Sequence, residues 1–236
     1  MRNFCIFLAF LSSQLQGELF LKDNLKKTKA GDYIVAAQGK MLSILRVASH
    51  KDGKMLLDEI SAPLSCQPPS FRQWVIDGAP GHTSWVLYNI DLDTGAIEKA
   101  YSYTRGTYFQ VSDAENFLGT LLTLRLEPIP DNRRKLIGPP PTGGPDFRKV
   151  WQPKLVVDGT QVSGVKFSAW STFWPCDHSE LSGKSIVVYL PENANYPAYF
   201  PHWLEISGFI GKAKVRIIDS GEYLSIPTTT YQQLAR

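Results

Sequence analysis

The sequence predicts a mainly β protein: an antiparallel sheet, strongly curved or half open towards a barrel, with one or two packed helices. Three observations predict it. Short apolar runs rich in Val, Ile, Tyr, Phe and Trp recur along the chain with period-two alternation. Glycine-bearing turn signals separate them, among them Asp52-Gly53, Asp93-Thr94-Gly95 and Asp158-Gly159. Only the segment 112–124 combines a helix-start signal with a helical apolar stripe.

The opening stretch MRNFCIFLAFLSSQLQG has one basic residue, an apolar run and a polar end on a small residue, the layout of a secretory signal cleaved after Gly17. Its apolar run is far short of the roughly 20 residues a spanning helix needs. No later segment approaches that length, so no membrane span remains once residues 1–17 are removed. Arg2, Asn3 and Phe4 before Cys5 are the wrong residues for lipoprotein processing. The expected location is the periplasm or cell envelope.

Residues 18–236, about 219 in number, suit a single β-rich domain, and 43% apolar with 12% aromatic content is enough to bury a core. Against 22 acidic residues stand 25 basic ones, which gives no reason to expect nucleic acid or an anionic membrane as partner.

From Gly31 the chain reads as a three-stranded meander turning at Gln38-Gly39-Lys40 and Lys51-Asp52-Gly53. Prolines 63, 68, 69 and 80 then forbid a central strand, and Ser70 caps a helical turn that ends at Gly78. The next hairpin turns at Asp93-Thr94-Gly95. Its core face is expected to carry Val86, Tyr88, Ile90 and Leu92, with both faces covered near Trp85.

The helix follows, with Ser112 and Glu115 as a capping box and Phe117, Leu118, Leu121, Leu122 and Leu124 as its stripe. Between 127 and 153 seven prolines describe a long irregular connection, stiff at 139–141 and loose at Gly143-Gly144. Strands resume at LVVDGTQVSGVKF, SIVVYLP and WLEISGFIGKAKVRIIDSGEYLSIP, the last with Asp219-Ser220-Gly221 as a turn, for about ten strands in all.

The stretch WPCDHSELSGK crowds Cys176, Asp177, His178, Ser179 and Glu180 together. A zinc site needs three or four converging ligands, and no second close Cys or His pair completes one; His82 and His202 are distant. Nucleophilic catalysis by Cys176 needs an oriented imidazole in reach, which sequence proximity to His178 does not supply. The favoured reading is a turn: Pro175 ends the aromatic segment, Asp177 and Ser179 bond back to nearby amides, and Ser182-Gly183 leads into the next strand. No nucleophile elbow, HExxH, phosphate loop or CxxC occurs, so the chain calls for no catalytic residue, metal or cofactor, and a non-enzymatic role is expected. His50 and His82 read as loop residues, and the basic run at Asn132 to Lys135 as a solvated patch. Cys66 and Cys176 leave two readings open: a disulfide closing a long loop, or two unrelated buried thiols.

Aromatic residues crowd the C-terminal half. Core packing accounts for most of them, and a surplus on a curved sheet lines a groove for a greasy or extended ligand, with Phe117, Leu121, Trp170, Trp174 and Trp203 as the candidate lining.

The run NRRKLIGPPP, with WPCDHSELSGKSIVVYLPE and FPHWLEISG downstream, resembles a family of uncharacterised exported proteins from bacteria of the chlamydial type, over most of the mature chain. That resemblance carries no assigned activity and transfers no site residue. In architecture the chain also resembles the half-open barrel of the periplasmic lipoprotein carriers, which implies a concave apolar face under helices that shelters an acyl chain. None of the carriers' diagnostic motifs is present, and the proline-rich segment departs from their pattern.

The expected function is an envelope or periplasmic binding protein for an apolar ligand, a lipid-modified protein or an extended peptide. The alternative is an adaptor that presents its proline-rich loop to a protein partner.

Overall fold

The computed structural model describes residues 17–111, 116–193, 200–208 and 211–227. The expected leader and its cleavage point lie almost wholly outside that range, as does the Ser112–Glu115 capping box.

Turn chemistry sets the first half of the fold. A short helix α1 (Leu21–Leu25) precedes β1 (Tyr33–Gln38), β2 (Met41–Lys51) and β3 (Lys54–Pro63), joined by the two-residue turns Gly39-Lys40 and Asp52-Gly53. Asp52 and Gly53 have φ of 54° and 74°. Such paired positive values give the turn a twist that matches its flanking strands, and Asp-Gly tolerates them. Ser70 accepts a hydrogen bond from the Gln73 amide at 3.3 Å and starts α2 (Phe71–Ile76), which ends against Gly78 at φ 84°. Strands β4 (Ser84–Asp91), β5 (Ile97–Ser102) and β6 (Thr107–Phe109) follow.

Helix α3 (Phe117–Thr123) is capped by Asn116, whose side chain accepts from the Gly119 amide at 2.8 Å. Strand β7 (Glu127–Ile129) then leads into the proline-rich connection. That connection is more ordered than composition suggests. Ile137 N donates to Lys149 O at 2.9 Å, Trp151 N to Lys135 O at 2.7 Å, and Leu136 bridges Val150, so the loop leaves and returns as a narrow arm.

The second half supplies a two-stranded ribbon, β8 (Leu155–Val157) with β9 (Thr160–Val162), turned at Asp158-Gly159 as expected. Then come β10 (Phe167–Phe173), β11 (Ser185–Pro191), β12 (Trp203–Gly208) and β13 (Gly211–Gly221). Asp219-Ser220-Gly221, expected as a turn, is instead the end of β13, paired with Val35, Ile34 and Tyr33 of β1. Long-range pairing overrides the local turn preference: the three residues are laddered to β1, and the Asp219 carboxylate also accepts the Gly159 amide of the ribbon turn at 3.0 Å.

Eleven strands form one antiparallel sheet in the order β6-β5-β4-β3-β2-β1-β13-β12-β11-β10-β7. It is mainly β with few short helices, as the sequence predicts, but the sheet is open: β6 and β7 are separate edges, and it is neither closed nor strongly curled. The reason lies in its coverage. A sheet that must enclose one apolar face curls around it, whereas here both faces are covered. On one face α1 and α3 bury Leu21, Leu25, Leu121 and Leu122 against Ile34, Leu57, Ile90 and Ile217. On the other, Phe71, Trp74 and Val75 of α2 pack with Val35, Ile60, Trp85 and Leu224. A third cluster, Leu155, Phe167, Ala169 and Tyr189, lies between the ribbon and β10–β11.

Candidate functional site

The face under α3 is where the core leaves space. With seven residues, α3 is too short to persist alone, and its position comes from packing. Leu121 and Leu122 are 4% and 1% exposed, and the Leu19–Leu126 backbone bridge ties the chain after α3 to the stretch before α1. Towards its N-terminal end the helix stands over a cavity of about 320 Å³. Ile34, Leu45, Leu204 and Ile217 form its floor, and Phe117, Leu118 and Leu121 its roof. Phe200 and Pro201 close one side. The volume falls at the lower end of the roughly 300–1,000 Å³ that small-molecule sites occupy.

Alternation on the strands explains why this wall is mainly apolar and carries one charged residue among the described ones. Met55, Leu57, Glu59 and Ser61 of β3 fall on the face that carries α3, and the first two are fully buried. Glu59 continues the series and lines the cavity. Its Oε2 accepts from the Tyr88 hydroxyl at 2.9 Å, across the β3–β4 pair. Burial, and then the Glu59 charge, push the Tyr88 phenol well above its ordinary ionisation range, so at neutral pH it remains a donor.

Of the residues expected to line a groove, Phe117 and Leu121 do so. Trp174 stands behind them: its ring stacks on Phe117 at 5.4 Å and 6°, supporting the roof without lining the cavity. Trp170 packs at the margin of the same core and donates to Ser168 Oγ at 2.9 Å. Trp203 lies on the opposite face, edge to Trp151 at 4.9 Å, because it neighbours Leu204 on β12 and consecutive strand residues alternate. The aromatic surplus is therefore divided between two faces.

The stretch 174–184 is a turn. Asp177 accepts from the Ser179 amide at 2.9 Å, the Ser179 hydroxyl at 2.6 Å and the Trp174 indole at 2.9 Å, and these bonds hold its carboxyl below the usual carboxylate range, the Ser179 hydroxyl foremost. Ser182 Oγ accepts the Asp177 amide at 3.1 Å. Cys176 and His178 are exposed, and both Cys66 and Cys176 are free thiols; the cysteines are unbridged, but neither is buried, because Cys176 sits on a surface turn and Cys66 at the margin of the α2 core. His82 caps its own loop at Ala79 O. The basic run 132–135 differs from a solvated patch at one residue: Arg134 is buried, paired with Asp131 at 2.8 Å and Gln152 at 3.0 Å, its guanidinium over the Tyr189 ring.

A second, polar site escapes sequence reasoning because its parts lie far apart in the chain. The Tyr33 hydroxyl donates to Asp158 at 2.9 Å and reaches Asp219 at 3.5 Å, while Arg72 binds Asp158 at 2.7 Å and Glu222 O at 2.7 Å. Ser220 Oγ donates to Val156 O at 2.7 Å. Burial, with the Asp158 charge adding to it, pushes the Asp219 carboxyl up. The cluster clamps the ribbon and α2 to the β1–β13 pair, and its groups spend their bonds on one another. A pocket of about 430 Å³ also opens beside this cluster, but charged and polar groups line much of it, whereas the cavity under α3 is walled mainly by apolar side chains.

Comparison with known proteins places the fold. The model of the CT021 protein family matches residues 43–163, which run from β2 through the ribbon and include NRRKLIGPPP, but not the downstream runs WPCDHSELSGKSIVVYLPE and FPHWLEISG. The solved structure of the hypothetical protein CT021 from Chlamydia trachomatis is similar over 90% of this chain and 98% of that one, with a TM-score of 0.64 and 18% identity. No curated protein matches.

Proposed function

The chain belongs to the CT021 protein family, and we propose that it is a non-enzymatic binding protein that holds an apolar ligand in the cavity under α3. The observation that carries this reading is the roughly 320 Å³ pocket between α3 and the sheet, partly open to solvent and walled by Ile34, Leu45, Leu121 and Ile217. Native interiors are packed with few voids larger than a water molecule. A cavity of this size lined by aliphatic side chains gives water few partners and gives a hydrocarbon chain many. Such a site favours a small apolar ligand or an acyl chain over an extended peptide, which needs an open sheet edge for its backbone bonds.

The ligand would be met in the periplasm or envelope, which the leader-like residues 1–17 support. The likeness to lipoprotein carriers is one of strategy, apolar space under a helix, on a sheet of different closure. Fractionation of cells producing the chain with and without residues 1–17 tests the location: equal retention in the cytoplasm removes it.

Uptake of N-phenyl-1-naphthylamine, which fluoresces in apolar surroundings, tests the cavity. Wild type should take up the probe, and filling the space from either wall, with Leu121→Trp or Ala36→Phe, should abolish uptake while the circular dichroism spectrum is kept. Absence of uptake by the folded wild type would sink the reading.

The adaptor reading rests on a separate observation: Phe147 is 87% exposed and Ile137 55% exposed on the proline-rich arm. It requires that deleting residues 138–144 abolishes capture of a protein partner and leaves probe uptake unchanged.

A further inference from the structure

We infer that the occupant of the cavity under α3 is an amphiphile with a cationic, hydrogen-bond-donating head, a long-chain primary amine, with Glu59 as its counter-charge. The inference rests on the cavity being a ligand site and adds what it selects.

Glu59 is the one charged side chain among the described residues that line the cavity. Among the described residues no cation lines the cavity beside it, and the Tyr88 hydroxyl donates to its Oε2. Glu59 is half-buried opposite Leu45 on this wall, so its carboxylate loses part of its hydration, a loss offset by a partner of opposite charge or by several donors. Tyr88 supplies one donor and, since its phenol does not ionise near neutral pH, keeps supplying it. The remaining oxygen is an acceptor with no donor of the described wall assigned to it. Ser43, the nearby hydroxyl on the floor, shares a hydrogen bond of 2.9 Å with Ser61.

Charge complementarity then fixes the head group. An ammonium brings both the missing charge and up to three donors. A fatty acid or phosphate head would place a second negative charge near Glu59 in a medium less polar than water, where like charges repel strongly. A neutral alcohol satisfies the acceptor without the charge and ranks between them. The apolar tail accounts for the rest of the wall, from Leu45 and Tyr88 to Leu121 under the helix.

The experiment is displacement of N-phenyl-1-naphthylamine from the full chain at pH 7 by dodecylamine, dodecanol and dodecanoate, each below its micelle-forming concentration. Dodecylamine should displace best, by about ten-fold or more over dodecanol, the ratio expected for one hydrogen bond to a charged group. Dodecanoate should displace least. Glu59→Gln keeps the acceptor for Tyr88 and removes the charge, so it should cost dodecylamine about ten-fold and leave dodecanol within two-fold. A dodecanoate affinity equal to or above that of dodecylamine overturns the inference, as does a preference that survives Glu59→Gln. Probe entry with the wrong ranking removes only the head-group assignment, whereas no entry at all removes the binding reading and this inference together.

Discussion

Asp58 is fully buried on β3 and is held by Arg46 Nη1 at 2.7 Å and by the Trp85 indole at 3.1 Å. Arg46 in turn donates from Nε to Leu224 O at 2.7 Å, so one ion pair links two neighbouring strands to the segment after β13. Asp58→Ala leaves a guanidinium buried without its counter-charge and should cost about 3–5 kcal/mol, read by urea denaturation. Replacing both charges, with Asp58→Leu and Arg46→Met, should recover part of that loss, because the desolvation cost disappears with the pair. Asp219 gives a different signature. Its folded-state pKa lies above the ordinary carboxyl value of 3.8, so its stabilising contribution is fully present below that value and is lost as pH rises through the raised one. Asp219→Asn keeps an acceptor for the Gly159 amide and cannot ionise. The melting temperature of wild type relative to Asp219→Asn should therefore fall between pH 4 and neutrality; a pH-independent difference would show that Asp219 ionises as freely in the folded chain as in the unfolded one.

At the scale of elements, α3 and the β4–β5 turn hold each other. Gly95 has φ of 79°, and a Cβ there would meet Thr123 Cγ2 at 2.6 Å, so the helix end sits directly on the turn. Gly95→Ala combines an unfavourable φ with that clash and should destabilise by more than about 1 kcal/mol. Asn116→Ala removes the cap of α3 and should cost about 1 kcal/mol. Both should weaken probe uptake more than they shift global stability, since the helix is the cavity's roof. The element scale also shows what sequence can carry. The meander and the ribbon were legible because Asp-Gly turns announce themselves through the φ values they need. The Asn116 cap was not, since its bond to the Gly119 amide is one of several locally sound caps in the segment. Strand β10, FSAWSTF, hides because its aromatics read as a cluster, although Phe167, Ala169 and Ser171 alternate with Ser168, Trp170 and Thr172. Glu59 was legible in principle: a carboxylate two positions beyond Leu57 and four beyond Met55 breaks an apolar stripe. Tyr88 as its partner was not, because register across β3 and β4 is a tertiary fact.

The whole molecule is two antiparallel runs joined at one seam. Strands β1 to β6 follow in order on one side, β13 back to β10 on the other, and the halves meet where β1 pairs with β13. One core crosses that seam, since Val47, Met55 and Ile90 from the first run belong to the same cluster as Ile186, Val188 and Leu204 from the second. The cavity does so too, with Leu45 and Tyr88 on one side and Leu204 and Val215 on the other. Such a core makes the halves mutually dependent, and unfolding should occur as a single transition. Ala37 tests it with little change in side-chain packing: it is buried at the seam opposite Arg216 and Leu42, and proline there deletes a ladder donor in a central strand. The carbonyl left unpaired should cost about 1–3 kcal/mol, a fall of roughly 2–12 °C in melting temperature for a chain of this size. If the seam unites the molecule, Ala37→Pro lowers one transition, seen alike by far-ultraviolet circular dichroism and, in fluorotryptophan-labelled protein, by the separate fluorine resonances of Trp85 and Trp174, which lie in different runs. A split in which Trp174 reports a lower midpoint than Trp85 would mean that the two runs are separate folding units, and the cavity between them would then open and close with the seam.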